Sequence, residues 1–219
     1  MPIIECALLS EGSSDKVLIP ILQWLLRVYA PNNPSSVEWV DLLRCRRKPA
    51  TMVEKITAAL DLYRCHLLFI HRDSDGKDPG MRYGEIKDAI ASLPHKTRSL
   101  PYICVVPICM TEAWLLTDEA AIRSAAGNPN GTVSLALPPL QRIETIPDPK
   151  EQLCDLLRKA SGMRGRRLKR FNNGLGVQRV AGYMNDFRKL RALSAFQRLE
   201  LDLKAMLQHL GFCAGRPIK

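Results

Sequence analysis

The chain has 219 residues, of which 46% are hydrophobic and 25% are charged. These values are ordinary for a globular protein, and they exclude a disordered chain, a collagen-like chain and a coiled-coil rod. No apolar run reaches the roughly 18 residues that a membrane span needs, and the first residues lack the basic start of a signal peptide. Seven scattered cysteines without a CxxC pair are typical of a reducing compartment. We therefore expect a cytoplasmic protein that does not contact a membrane.

The formal net charge of +10 is distributed unevenly along the chain. Residues 1–150 contain 17 Lys and Arg and 17 Asp and Glu, whereas residues 151–219 contain 15 basic and 5 acidic residues. The whole excess of positive charge therefore lies in the last third. A neutral body with a basic C-terminal part predicts a partner that carries many phosphates, which indicates nucleic acid, DNA or RNA.

Apolar runs alternate with helical periodicities over the first 127 residues. The runs predict strands at residues 3–9, 37–43, 66–70 and 102–108. Helices are predicted to begin near Ser13, at Thr51 and at Tyr83, and Thr51 forms a capping-box pattern with Glu54. This alternation predicts an α/β fold with a mostly parallel, doubly wound sheet.

The rest of the chain is different in composition. Residues 128–149 are rich in Pro, Gly and Asn and predict a linker or long loop. Beyond them no strand is indicated, and helices are predicted at residues 151–160, 180–190 and 194–210. We therefore predict an α/β domain over residues 1–127, a linker over 128–149 and a small basic helical subdomain over 150–219.

Acidic residues follow three of the four predicted strands. Glu11 follows the first, Asp73 and Asp75 follow the third, and Glu112 follows the fourth. Ligands of an open parallel sheet bind beyond the carboxyl ends of its strands. Side chains at positions i and i+2 of an extended segment point the same way, so Asp73 and Asp75 are predicted to share one hard cation. Carboxylates gathered without lysine partners would repel one another, and their oxygen ligands favour Mg²⁺ or Mn²⁺ over zinc.

Two of these acidic segments resemble known motifs. Glu11-Gly12-Ser13-Ser14-Asp15, which follows a strand and opens a helix, resembles the glutamate motif of Toprim domains. Asp73-Ser74-Asp75 resembles their DxD motif. Thr111-Glu112-Ala113-Trp114-Leu115-Leu116 resembles a segment of bacterial Toprim-like proteins that are often found beside ATPases in defence loci. The resemblance covers roughly residues 3–125.

The resemblance implies a Toprim-like fold and a Mg²⁺-dependent hydrolase that cleaves phosphodiester bonds, as the overcoming-lysogeny-defect (OLD) nucleases do. By this resemblance, Asp73 and Asp75 would bind the metal, and Glu11 would be a metal ligand or the general acid–base. Glu112 is an additional ligand, for the same ion or a second one. The resemblance also implies an ATPase partner from a defence locus. The chain has no GxxxxGK[ST] motif of its own, so any ATP-driven step would need such a partner. Gly76 directly after the DxD pair departs from many Toprim domains, and no primase-type zinc module or topoisomerase tyrosine accompanies the motifs, so a nuclease is favoured.

Two basic stretches suit contact with a nucleic acid. One forms the turn after the second predicted strand, on the same sheet edge as the acids if the sheet is parallel, and the other lies in the C-terminal part. With aromatic residues at 6%, no stacking surface for single strands is predicted. The candidate nucleic-acid-binding residues are Arg44, Arg46, Arg47, Lys48, Arg72, Lys77, Arg164, Arg166, Arg167, Lys169 and Arg170.

Each candidate also has a structural interpretation. Glu11 and Glu112 suit the first turn of a helix, and Asp15 is expected to cap one. Residues 73–76 suit a plain turn, and a histidine such as His71 at a strand end is more often structural. Two other functions stay open: a non-catalytic module that binds nucleic acid or an acidic protein through a degenerate site, and a phosphohydrolase that acts on a small nucleotide.

Overall fold

The computed structural model describes residues 3–212. Its centre is a four-stranded, all-parallel sheet in the order β2-β1-β3-β4. The predicted α/β class is confirmed, and so is the parallel sheet. The strands are β1 (Ile4–Leu9), β2 (Ser35–Trp39), β3 (Leu67–His71) and β4 (Tyr102–Val105).

Helices fill most of the remaining chain. Within residues 3–212, no helix is long and apolar enough to cross a membrane. Short 3-10 helices cover Ser13–Val17, Leu42–Arg44, Leu140–Thr145 and Arg188–Ala192. The α-helices are α1 (Leu18–Tyr29), α2 (Met52–Leu62), α3 (Pro79–Ala91), α4 (His95–Arg98), α5 (Glu112–Leu115), α6 (Glu119–Ala125), α7 (Pro149–Ser161), α8 (Gly165–Lys169), α9 (Asn173–Tyr183) and α10 (Ser194–His209).

Both faces of the sheet are buried. Strand side chains alternate between the faces, so Leu8 and Phe69 enter one core while Leu9 and Ile70 enter the other. The first core also holds buried side chains of α1, α5, α6, α7, α9 and α10, and the second holds those of α2 and α3. Burial on both sides explains why the strands appear in the sequence as continuous apolar runs rather than as alternating patterns.

The order of the strands creates a crevice between β1 and β3. From β1 the chain passes through α1, on the first face, to the edge strand β2. It then returns through α2, on the opposite face, to β3. The connections of the two central strands therefore leave in opposite directions, which makes their carboxyl ends a topological switch point, the usual ligand-binding place of such sheets.

Several predicted boundaries are wrong for local reasons. The second predicted strand ends at Trp39, and Leu42–Arg44 turn instead into a 3-10 helix in which the Asp41 carboxylate accepts the amide of Leu43. The fourth ends at Val105, because the following chain contains Pro107, which has no N–H to donate to a sheet. The helix predicted at residues 180–190 ends at Tyr183.

Residues 128–149 and the C-terminal helices share a core with the sheet. Leu135 and Ile143, from the predicted linker, are buried in the same cluster as Leu8. Leu157 of α7 and Leu203 of α10 belong to this cluster as well. Helices α7, α9 and α10 thus share the core on the first face of the sheet, whereas α8 has no buried residue.

The predicted capping box of α2 is confirmed and gives a first test. Thr51 Oγ1 accepts the amide of Glu54 at 3.1 Å, and the Glu54 carboxylate accepts the amides of Thr51 and Ala50. Thr51→Ala leaves a helix N–H without its partner, so we expect the free energy of unfolding in urea to fall by about 1 kcal/mol. Thr57→Ala in the same helix is the control, and we expect it to change stability by less than about 0.5 kcal/mol. Equal losses in the two variants would contradict the capping role.

Candidate active site

The candidate site lies where the chain leaves β1, β3 and β4. Pairing of Leu9 with Ile70 and of His71 with Val105 sets the ends of these strands side by side. The turn at residues 10–15 follows β1, the turn at residues 72–77 follows β3, and the loop that begins α5 follows β4. Sequence positions that are far apart therefore meet at one edge of the sheet.

Asp15 organises the turn after β1. Its Oδ2 accepts the amide of Gly12 at 3.0 Å, and its Oδ1 accepts the hydroxyl of Ser14 at 3.0 Å. The predicted capping role of Asp15 is therefore confirmed. The same Oδ2 lies 3.9 Å from Nε2 of His71, so this buried carboxylate also faces the centre of the site.

His71, at the end of β3, is the buried centre of the site. Its Nδ1 lies 2.9 Å from the carbonyl oxygen of Val105, and since a carbonyl only accepts, Nδ1 carries a proton. Nε2 then faces Thr111 Oγ1 at 3.3 Å and Asp73 Oδ1 at 3.4 Å. The histidine is fixed from one side by the backbone and presents its other nitrogen to the acids.

Asp73 is the most perturbed carboxyl group of the site. Its pKa is raised from 3.8 to about 6, chiefly by burial and also by the neighbouring acids Asp15, Glu112 and Glu11, against the lowering effect of His71. Its Oδ1 accepts the amide of Thr111 at 3.0 Å. Within the described part of the chain, no hydrogen-bond donor reaches Oδ2. One oxygen of Asp73 is therefore fixed, and the other is available to a ligand.

Glu112 is buried at the start of α5, close enough to contribute to the electrostatics of Asp73. Its Oε1 lies 3.6 Å from Nζ of Lys150, at the start of α7. The side chain of Lys150 is largely exposed. A buried carboxylate with one loosely placed cation keeps much of its negative charge unneutralised.

A chain of ion pairs surrounds the buried acids. Arg72 contacts the carboxylates of Glu11 and Glu85, and Arg82 contacts those of Glu85 and Asp75. Arg82 also donates to the backbone carbonyl of residue 73 at 3.0 Å. This outer ring neutralises Glu11 and Asp75, whose side chains are close to half exposed.

The prediction that Asp73 and Asp75 point the same way is wrong. β3 ends at His71, and Asp75 has φ 52°, in the left-handed region rather than in an extended strand. The turn is fixed by Ser74, which is buried and accepts the amide of Cys109 at 3.0 Å. Asp73 consequently faces the buried acids, while Asp75 faces Arg82.

The premise that the acids lack cationic partners is also wrong. Glu11, Asp75 and Glu112 each contact an arginine or a lysine. With these side chains as they stand, no three His, Cys, Asp or Glu residues within 3–212 are arranged to hold a metal ion. The structure places Glu11 and Glu112 close enough to Asp73 for their charges to raise its pKa.

The basic candidates lie at three places. Residues 44–48 follow the edge strand β2 and reach the same sheet edge as the acids, as expected for a parallel sheet. Within this turn Arg44 donates to the Tyr63 hydroxyl at 3.3 Å, and Arg46, Arg47 and Lys48 are exposed. Lys77 is exposed in the turn after β3, whereas Arg72 is engaged with Glu11 and Glu85. The remaining candidates, Arg164, Arg166, Arg167, Lys169 and Arg170, are exposed in and around α8.

Sequence reasoning missed the residues that fix Asp73. Thr111 and His71 contact it directly, and Arg82 holds the backbone of its turn. The sequence offered one signal for two of them, the position of His71 at the end of a strand and of Thr111 in the loop that follows another. The pairing of Thr111 with Asp73 spans 38 residues and depends on the order of the strands.

Comparison with known proteins adds no relative to this description. The chain matches no protein-family model, no curated protein and no solved structure. The Toprim resemblance therefore stays a prediction that depends on its motifs.

The raised pKa of Asp73 predicts a pH-dependent cost to stability. Above pH 6 the folded state holds a buried carboxylate that the unfolded chain leaves in water, and below about pH 4 the acid is protonated in both states. Asp73→Asn removes this cost and keeps an oxygen for Thr111. We expect the variant to be more stable than the parent by roughly 1–3 kcal/mol at pH 8, and the difference to vanish as the pH falls from 6 to 4.

Urea denaturation across this pH range measures the difference. Asp61→Asn, at an exposed acid of α2, is the matched control and is expected to show no such trend. A variant at Asp73 that is less stable than the parent at pH 8 would show that the carboxylate stabilises the fold.

Proposed function

We propose that this chain is a Mg²⁺- or Mn²⁺-dependent nuclease of the Toprim-like kind, which hydrolyses phosphodiester bonds in nucleic acid. The observation that carries the proposal is Asp73, a carboxylate held at the switch point of the sheet with its pKa raised to about 6. A strongly perturbed acid in such a place is a candidate for a functional site. The exposed cations near the same edge favour a phosphate-bearing substrate.

The donor set fits a magnesium ion held by few protein ligands. Mg²⁺ is usually bound through one or two carboxylates, with water and substrate phosphate completing its shell. Asp73, with a free Oδ2, and Glu112, buried beside it, would be those ligands. When bound, the ion would polarise the phosphate and lower the pKa of a water molecule. Asp75 does not fit this role, since Arg82 holds it.

The other side chains have roles that follow from their contacts. Thr111 donates its amide to Oδ1 of Asp73 and so fixes that oxygen, which also lies 3.4 Å from Nε2 of His71. Glu11, at the exposed rim, is placed to accept a proton from an attacking water once it releases Arg72. Arg72, freed in the same exchange, is placed to contact a phosphate oxygen. An ATPase partner and a role in defence rest on the motif resemblance alone and belong to the same proposal.

A second candidate is a non-catalytic binding module. The ion pairs of Glu11 with Arg72 and of Asp75 with Arg82 favour it, because acids already neutralised by arginine need no metal. In this alternative the acidic edge is a structural network, and the basic surfaces alone bind the partner.

Cleavage assays separate the two candidates. Plasmid, single-stranded DNA and tRNA are incubated with the protein in Mg²⁺ or Mn²⁺, with EDTA as the metal-free arm. We expect metal-dependent cleavage that falls by about 100-fold or more in Asp73→Asn and in Glu112→Gln, because each removes a proposed ligand. Asp61→Asn, which removes the same charge at an exposed position of α2, is expected to cleave normally, so loss in the other two variants would show that the activity belongs to this chain and does not follow from any loss of a carboxylate.

Calorimetry with the divalent ion alone supplies a readout that does not need turnover. We expect uptake of Mn²⁺ by the parent chain, weakened by Asp73→Asn. Absence of both uptake and cleavage, with nucleic-acid binding retained, would support the binding module instead.

A further inference from the structure

A cleft lies on the C-terminal part of the molecule, between the end of α6 and the segment that carries α8 and α9. Its volume is about 560 Å³, within the range of ligand sites. We call it the arginine cleft. Its lining includes Met163, Arg167, Arg170, Phe171, Leu175 and Arg179.

The charge around the arginine cleft has no counterpart. Residues 162–185 contain six Lys and Arg and neither Asp nor Glu. Within the described part of the chain, Arg167, Arg170 and Arg179 form no ion pair. Two other arginines of the C-terminal part do form ion pairs, Arg158 with Asp155 and Arg198 with Asp202. Three exposed, unpaired guanidinium groups around one concavity form a site for a multiply charged anion.

The floor of the cleft is apolar. Leu175 is 42% exposed and Met163 is 37% exposed, although both are large hydrophobic residues. Phe171 lies beside them and is only partly buried. Gly176 permits this arrangement, because a Cβ there would lie 3.1 Å from Leu157 of α7. One aromatic and two aliphatic side chains therefore line the cleft together with the three arginines and are accessible to a ligand.

This combination distinguishes between forms of nucleic acid. A duplex exposes its phosphates but stacks its bases on one another, so the faces of its bases cannot contact an apolar floor. A single strand presents both, and proteins bind it by placing bases on apolar or aromatic side chains and phosphates on cations. This interpretation departs from the expectation, drawn from the aromatic content of 6%, that the chain has no stacking surface for single strands.

Helix α9 links the cleft to the candidate active site. Its first turns line the cleft, and the helix packs against the 3-10 helix Ser13–Val17, which carries Asp15. We propose that the arginine cleft binds a single-stranded segment of nucleic acid, with bases on the Phe171 floor and phosphates on Arg167, Arg170 and Arg179. That the bound strand is the substrate rests on the proposed nuclease function; the binding itself does not.

Binding is measured on the full chain by fluorescence anisotropy, in EDTA so that cleavage plays no part. The triple variant Arg167→Gln, Arg170→Gln, Arg179→Gln is expected to bind a single-stranded oligonucleotide at least tenfold more weakly. The slope of log K against log salt is expected to fall by about 2, at roughly 0.7 per phosphate contact. The control Arg27→Gln, Arg64→Gln, Lys87→Gln carries the same change in net charge at exposed positions elsewhere and is expected to retain binding.

Two competitors test the apolar floor. A duplex of the same length and an oligonucleotide of abasic sites, which keeps the phosphates, are each expected to bind about tenfold more weakly than the intact single strand. Equal affinity for all three would overturn the single-strand assignment, and equal loss in the two triple variants would overturn the cleft. DNA and RNA versions of the strand are run in parallel, and binding of either supports the proposal.

The outcome is separable from that of the nuclease proposal. Binding is measured in EDTA and cleavage in Mg²⁺ on the same parent chain, so the two results are obtained independently. Binding with no metal-dependent cleavage would leave the cleft in place and remove the nuclease, whereas cleavage that survives loss of the three arginines with unchanged binding would do the reverse.

Discussion

The parallel pairing of β1 with β3 is the constraint on which the site depends. Its register sets Leu9 beside Ile70, so the turn that carries Asp15 and the turn that carries Asp73 leave the sheet together. The connections before and after these strands lie on opposite faces, which keeps helices out of the crevice between them. A shift of the register would separate the two turns and remove the repulsion from Asp15 that helps to raise the pKa of Asp73.

The acidic side chains form two layers, which differ in how far neighbouring cations neutralise their charge. Glu11, Asp75 and Glu85 form an exposed ring with Arg72 and Arg82, in which nearly every charge has a partner. In the buried layer three carboxylates, those of residues 15, 73 and 112, share one histidine and one loosely placed lysine. The deficit of positive charge is thus confined to the buried layer, and there it appears as the raised pKa of Asp73. In a purely structural network, cationic side chains would be expected to neutralise these acids. The buried layer is therefore a stronger argument for a ligand than the exposed ring.

The sequence predicted what depends on local patterns and missed what depends on distant pairing. Apolar runs located the four strands, and the Thr51–Glu54 pattern located the start of α2. The acids were correctly placed after strands, yet the direction of Asp75 was not, because one left-handed residue reverses the effect of i, i+2 spacing. Arg82 and Thr111 join the site only through folding, over 9 and 38 residues respectively, and no periodicity records such contacts.

Much of the excess positive charge lies among helices that share a core with the strands of the site. Leu157, Val180 and Leu203, from three C-terminal helices, share a core with Leu8 of β1. A strand bound on α9 would therefore lie on an element that packs into the same core as the strands of the acidic edge. The two surfaces respond to different variables: binding to exposed arginines weakens with salt, whereas the state of a buried carboxylate changes with pH. If binding and reaction take place on separate surfaces, the affinity for nucleic acid depends on salt concentration but not on the ionisation of Asp73.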